Sequence, residues 1–291
     1  MLSVLIPCQE DEVLLFPTLK SIFSNHFRSQ DFEVLLICNA GGLVSERKVN
    51  EFPVQVHFGA FKGQAQALNW GLEKANGNVV CTTKPGCVVA SDWLSQIARF
   101  FQRYPSVDGV GGPVLPCLDI GTKLQVLASE IFSEEQHFPT SVAVLKLGGY
   151  QGLFHATNSA FRKEALESVG FNEGLRYDYD FDACLRMLRR GYRLVFDPEM
   201  RVMYVFPAAL PRILKRYHAW GIEGALLKRK YLRRRGVRAR ALSYVYPYYD
   251  VVRSFLQPNP VISTKKLLKS VQHLAYDVGV IQGDHASLNA V

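Results

Sequence analysis

The sequence has no uncharged apolar run of about 18 residues or more, the length a membrane-crossing helix needs. Its opening, Met1 to Pro7, passes straight into a short apolar segment with neither a basic region nor a small-residue cleavage site, so no signal peptide is read there. The expectation is a chain that is neither secreted nor membrane-spanning. Cysteine is sparse: the six, at 8, 38, 81, 87, 117 and 184, are scattered mostly within apolar runs and show no paired spacing of the structural-zinc kind. Reduced core thiols of a cytoplasmic protein are expected. Internal repeats and low-complexity tracts are also missing. Acids are nearly absent from one stretch, Arg212 to Arg240, which holds eleven Lys/Arg against Glu223 alone, so the net charge of +8 is +10 there and −2 elsewhere. The basicity is local, and so is the partner it implies.

What is present suits a large packed core: 291 residues, 48% hydrophobic and 21% charged. Apolar runs of strand length (Ser3 to Ile6, Glu33 to Cys38, Val54 to Phe58, Asn78 to Thr82, Val107 to Val114) alternate with helical-period segments (Val13 to Phe27, Gln64 to Ala75, Ser91 to Tyr104). Ser91 with Asp92 supplies an N-cap for the last. The alternation predicts an α/β fold with a doubly wound, mostly parallel sheet. Pro116, Pro139 and the pair Gly148 and Gly149 break the next region into loops around a helix at Lys123 to Ile131. Helices at Arg162 to Val169 and Asp180 to Arg190 and strands at Arg193 to Phe196 and Arg201 to Val205 follow. Beyond Pro211 the chain turns basic and helical, then aromatic, and ends on an amphipathic helix at Lys265 to Val280. The expected division is a catalytic-type domain over 1–210 and a helical extension over 211–291.

Ligands of doubly wound sheets bind beyond the carboxyl ends of the strands, where Pro7 to Glu12, Asn39 to Gly42 and Lys84 to Cys87 fall. Pro7 has no N–H to donate, so a strand ending there leaves its ladder and opens a loop that presents Gln9 and Glu10 to a nucleoside, or is simply a solvated turn. Asn39 ahead of Gly41 and Gly42 carries both a donor and an acceptor for a base edge, and is also a favoured turn residue. Lys62 and Gly63 precede a helix and offer a cation with free N–H groups to phosphate, or mark a plain helix entry.

Four segments in order, spanning residues 2 to 205, resemble the family 2 glycosyltransferases. They are Ser3-Val-Leu-Ile-Pro7-Cys-Gln9-Glu10; Phe32 through Asn39-Ala-Gly41; Lys62-Gly63-Gln-Ala-Gln-Ala67-Leu-Asn69-Trp-Gly71; and Thr157-Asn158 through Gly170-Phe171 to Asp180-Phe-Asp182-Ala-Cys-Leu-Arg186 and Gly191-Tyr192-Arg193. Relatives usually show Asp where this chain has Asn39. The resemblance implies a GT-A fold, a nucleoside-diphosphate-sugar donor, and a glycan or lipid-linked acceptor. It also implies Asp180 as the general base of an inverting displacement, with Asp182 orienting the base or binding donor sugar and Arg186, one turn on, pairing with Asp182. Pro7, Gln9, Glu10, Asn39, Lys62, Asn69, Asn158 and, more loosely, Trp220 are carried over as substrate-binding, and Lys84 is a substrate-binding candidate on its own chemistry.

The chain departs furthest from the family at one motif. Relatives carry Asp-x-Asp after the fourth strand to hold a divalent cation, whereas anchoring on Asp92-Trp93-Leu94 places Lys84-Pro85-Gly86 there. A hard cation such as magnesium or manganese needs oxygen ligands, and this loop offers no carboxylate, which puts conventional metal binding in question. Either Lys84 stands in for the metal at the diphosphate, or the chain is a non-catalytic sugar-nucleotide or glycan-binding subunit of the same fold. Tyr179 also replaces the Glu that usually precedes the base. The acids at 180 and 182 equally suit a helix start. The basic stretch 212–240, interleaved with Trp220, Leu226, Leu227 and Tyr231, suits peripheral contact with an anionic membrane on its cytoplasmic face or, equally on charge alone, nucleic acid. No nucleic-acid module accompanies the charge, so nucleic acid is not expected.

Overall fold

The strands form because long apolar runs here are covered on both faces. The computed structural model describes residues 1–8, 12–28, 31–40, 49, 51–117, 119, 122–135, 138–147, 155–205, 210–231 and 260–288. These divide into two units, Met1–Asp119 with Glu135–Val205, and Ile120–Glu134 with Phe206–Val291. The first begins β1 (Leu2–Cys8), α1 (Glu12–Phe23), β2 (Phe32–Asn39), β3 (Gln55–Gly59), α2 (Gln64–Lys74), β4 (Val79–Thr82), β5 (Cys87–Val89), α3 (Trp93–Arg103), β6 (Gly109–Gly111) and β7 (Val114–Pro116). Next comes α4 (Lys123–Glu135), which lies, but for its last residue, in the second unit. The first unit resumes with β8 (Ala143–Val144), β9 (Ser159–Arg162), α5 (Lys163–Glu167), α6 (Tyr179–Arg189), β10 (Leu194–Phe196) and β11 (Val202–Tyr204). The second unit adds α7 (Leu210–Tyr231) and α8 (Pro260–Leu288).

The main sheet has eight strands in the order β3-β2-β1-β4-β9-β6-β10-β8. Six run the same way; β9 and β8 oppose them. All seven residues of β1 are buried, as expected for a central strand with helices on both faces. On one face Leu5, Leu35, Ile37, Val80, Phe161 and Phe196 pack under side chains of α2, α5 and α6, among them Leu68, Leu166 and Met187. A second sheet, β5-β11-β7, is small. The predicted strand Val107 to Val114 is two strands in different sheets: Gly112 N bonds Asn158 O, while Pro113 O receives Val202 N.

Two local expectations change. The ladder does not end at Pro7: Pro7 pairs with Ile37 and Cys8 with Cys38. Leu5 O faces β4, where it accepts from Thr83 N, so by the two-residue period the Pro7 nitrogen faces the same side, where β4 pairs with β1 only as far as Thr82. The start of α3 is capped from elsewhere in the fold. Asp92 occupies the N-cap without a side-chain cap bond, and Asn25 Oδ1 accepts from Leu94 N at 3.0 Å instead.

In the second unit α7 and α8 meet backbone to backbone. A Cβ on Gly221 would lie 2.0 Å from Tyr276 O and one on Gly279 1.9 Å from His218 O, so only glycine admits this approach. Lys265 pairs with Glu130 at 2.7 Å, joining α8 to α4. No helix among the described residues is long and apolar enough to cross a membrane.

Candidate active site

The parallel strands deliver their carboxyl ends, Cys8, Asn39, Gly59, Thr82 and Gly111, to one edge of the sheet. Because β9 runs the other way, its start joins them: Ser159 pairs with both Thr82 and Gly111, and the Thr82 and Ser159 hydroxyls lie 2.8 Å apart. Residues 83–86, following β4, and 155–158, preceding β9, therefore share this edge.

Lys84-Pro85-Gly86-Cys87 is a tight turn closed by Cys87 N to Lys84 O at 3.1 Å. Pro85 presets the first central position and Gly86, at φ 92°, takes the left-handed second one, the chemistry of a type II turn. The turn is clamped: Gly86 N donates to Leu14 O and to Thr18 Oγ1 of α1, and Gly86 O accepts from Val205 N. Lys84 is half-buried, and among the described residues no carboxylate lies within ion-pair distance of it. Burial pushes the neighbouring Cys87 thiol up to about 11, so it is no nucleophile at neutral pH. The described residues gather no group of three or more His, Cys, Asp or Glu that could hold a metal ion, and the turn itself carries no carboxylate.

Asp180 sits in the first turn of α6, only 8% exposed. It is not the N-cap residue, which is Asp178, without a side-chain cap bond. Asp180 Oδ2 instead accepts from Ala156 N at 2.7 Å and Oδ1 from Phe181 N at 2.8 Å. The carboxylate is thus fixed to the segment leading into β9. That segment is held in turn by Asn158, fully buried, whose Oδ1 accepts from Trp93 Nε1 at 2.9 Å and whose Nδ2 donates to Pro113 O and Met200 O. Burial and the Asp180 charge raise the Cys184 thiol well above its ordinary value, so it too stays protonated.

On the other side of the edge, Asn39 Oδ1 accepts from Phe61 N at 2.9 Å, tying the end of β2 to the segment between β3 and α2. Lys62 is exposed, and Gln66 Oε1 accepts from its backbone N–H. Gly63, the N-cap of α2, has no side chain to cap with, and no acid stands in the first turn. The expected pairing of Arg186 with Asp182 is present at 2.6 Å, with Asp182 fully buried and Arg186 also donating to Val169 O and to Gly170 O. Asn69 clasps the next residue, taking Phe171 N on Oδ1 and giving Nδ2 to Phe171 O. Asn158, Asn69 and Asp182 are therefore each engaged within the protein. Pro7 is buried in β1, Gln9 and Glu10 lie outside the described residues, and Trp220 belongs to the second unit, edge-on to Tyr217 at 5.2 Å. The sequence singled out no role for Gln64, yet Tyr179 Oη donates to its Oε1 at 2.7 Å. The two lie 115 residues apart, and no local pattern could have paired them.

A strand order of 3-2-1-4 continued through an antiparallel β9, with loops converging on the carboxyl edge, defines a glycosyltransferase fold of the GT-A type. Among solved structures the chain resembles S. aureus TarS 1-349 in complex with UDP-GlcNAc (TM-score 0.57, 12% identity, 97% of this chain and 92% of that one). It also resembles the mannosyltransferase PcManGT from Pyrobaculum calidifontis in complex with GDP-Man and Mn2+ (TM-score 0.56, 19% identity, 99% and 74%). The family described as "Glycosyltransferase like family 2" matches residues 1–222, and the chain belongs to it. A dolichyl N-acetyl-alpha-D-glucosaminyl phosphate 3-beta-D-2,3-diacetamido-2,3-dideoxy-beta-D-glucuronosyltransferase of Methanococcus voltae is 20% identical over 79% of this chain and 74% of its own length. The probable glycosyltransferase YdaM of Bacillus subtilis (strain 168) is 30% identical over 67% of this chain. The chain spans 48% of YdaM, about half.

Proposed function

We propose that this protein is an inverting glycosyltransferase that uses a nucleoside-diphosphate sugar and needs no divalent cation to hold the diphosphate. The acceptor is a glycan or a lipid-linked sugar, and the setting is cell-surface polysaccharide or glycolipid synthesis at the cytoplasmic face of a membrane; the dolichyl phosphate in the name of the Methanococcus voltae relative supports the lipid-linked acceptor. The observation that carries the reading is the pairing, on one sheet edge, of a buried carboxylate held by backbone N–H groups with a cation on a clamped turn that has no carboxylate partner among the described residues. In this reading Asp180 takes the proton of the acceptor hydroxyl as its oxygen attacks the anomeric carbon. The bond from that carbon to the diphosphate breaks on the opposite face, and the nucleoside diphosphate leaves with the electron pair. Lys84 stabilises the growing negative charge, and Lys62 with the open start of α2 adds to the field. Pro7, Gln9, Glu10 and Asn39 form the nucleoside side. Asn69, Asn158 and Asp182 hold the frame on which the site stands.

Calorimetric titration of UDP and GDP, with EDTA and with manganese, tests this. Affinity within about threefold in the two buffers, and a loss of about tenfold or more in Lys84→Ala, is expected from removal of a charge-assisted contact. A collapse of affinity in chelator would sink metal independence. Tight binding with no transfer to any acceptor would establish instead a sugar-nucleotide-binding subunit.

A further inference from the structure

Resting on that reading, we infer that Tyr179 is a positioning residue, whose hydroxyl bond to Gln64 sets the distance between the Asp180 carboxylate and the donor-binding start of α2. Tyr179 is 1% exposed, and its ring meets Phe171 edge-on with centroids 5.8 Å apart. Its hydroxyl crosses to Gln64 Oε1 at 2.7 Å. Gln64 is the first residue of α2, directly after Lys62-Gly63, and Tyr179 is the first residue of α6, directly before Asp180. The bond therefore joins the first residues of two helices, one carrying the phosphate-facing N–H groups and the other the base. Neither N-cap residue, Gly63 of α2 or Asp178 of α6, makes a side-chain cap bond. Long-range contacts tie the start of α6 down on two sides: Tyr179 to Gln64 of α2, and Asp180 to Ala156 in the segment before β9. A base mounted this way is held against both the donor segment and the strand β9 that borders the diphosphate turn.

The geometry has a kinetic consequence. A displacement of about 1 Å between base and donor can cost about 10² in rate while leaving nucleotide contacts unchanged. Tyr179→Phe keeps the ring and removes only the hydroxyl. The experiment measures single-turnover transfer at saturating donor, nucleoside-diphosphate affinity and melting temperature in the wild type, Tyr179→Phe, Gln64→Ala and the double variant. Each single variant should lose about tenfold or more in transfer rate, with nucleotide affinity held within about twofold. The double variant should be no slower than the worse single one, because one bond is broken in all three. Independent, multiplicative losses, or rate losses that follow melting temperature alone, overturn the positioning role and leave a packing contact. Undiminished transfer in Tyr179→Phe overturns it outright. A wild type that transfers sugar from no donor overturns the proposed function itself, and this inference falls with it.

Discussion

At the scale of single residues, the acids of α6 separate by their partners. Asp182 meets Arg186 in full burial, whereas Asp180 meets backbone N–H groups and keeps a small exposed surface at the sheet edge. In the proposed reaction an uncharged substitute for Asp180 removes the base, a loss of about 10² to 10⁴ in transfer rate. Asp180→Asn should therefore abolish most transfer while nucleotide affinity changes little. The structure adds a cost that helix capping alone does not predict. Both carboxylate oxygens accept N–H bonds, and an amide offers only one acceptor, so Ala156 N or Phe181 N loses its partner, at about 1 to 3 kcal/mol of stability. Denaturant unfolding and transfer assays on the same variant check both halves; full activity in Asp180→Asn would move the base elsewhere, and of the flanking acids Asp182 is fully buried against Arg186, which leaves Asp178. The sequence could single out these polar residues but not their partners. Asn158, Asn69 and Asp182 carry the same groups whether they hold a ligand or a loop, and only the fold shows those groups turned toward Trp93, Phe171 and Arg186.

At the scale of elements, the periodic segments and the short apolar strands β4, β10 and β11 were legible, and β5, β8 and β9 were not. β1, β2, β3, α2 and α3 lie within two residues of the expected bounds, because each has a long apolar run or a clean helical stripe such as Trp93, Leu94, Ile97, Phe100 and Phe101. β9 was missed: its four residues precede a helical pattern, and its antiparallel place between β4 and β6 depends on partners far along the chain. The opposite edge of the sheet offers a test of how the elements are stapled. Glu33 of β2 accepts from Ser3 Oγ of β1, Gln55 Nε2 of β3, and both the backbone and side-chain nitrogens of Asn76. Partial burial works against the carboxylate, but these bonds outweigh it and hold its pKa below the ordinary 4.5. A depressed carboxylate contributes stability above its unfolded value, and the contribution is lost as pH falls through the folded one. The wild type should therefore lose stability more steeply than Glu33→Gln below pH 4.5, and at neutral pH the variant should be weaker by about 1 kcal/mol, discounted for partial exposure. Urea midpoints measured across pH 3 to 7 decide it, since parallel curves would deny Glu33 the role.

At the scale of the whole molecule, charge and chemistry are segregated. The glycosyltransferase edge belongs to the first unit, while the cationic excess of 212–240 falls in the second, where the described part is α7. Along α7, Ile213, Tyr217, Ala225 and Leu227 are buried, and Arg212, Lys215 and Lys230 are exposed beside the exposed apolar side chains Leu210 and Leu226. Cations interleaved with exposed leucines suit an anionic bilayer surface better than a purely electrostatic ligand, because the lysines and arginines meet headgroups while the leucines reach the acyl boundary. Each basic residue near such a surface adds about 1 kcal/mol, and the field decays over about 10 Å at 0.1 M salt. The protein should therefore sediment with phosphatidylglycerol vesicles and not with phosphatidylcholine ones. Raising salt from about 0.1 to 0.5 M should weaken binding about tenfold or more as the field is screened. Replacing Arg212, Lys215 and Lys230 together by Ala removes three exposed charges and should lower vesicle affinity about 10²-fold, at about 1 kcal/mol each, without changing nucleotide affinity in the first unit. Equal binding to neutral vesicles would make the contact apolar rather than electrostatic. Binding to a DNA duplex as tight as to anionic vesicles would show that charge alone acts here and that Leu210 and Leu226 contribute nothing. Absence from both vesicle pellets would remove the membrane from the acceptor's setting and leave a glycosyltransferase whose acceptor comes to it in solution.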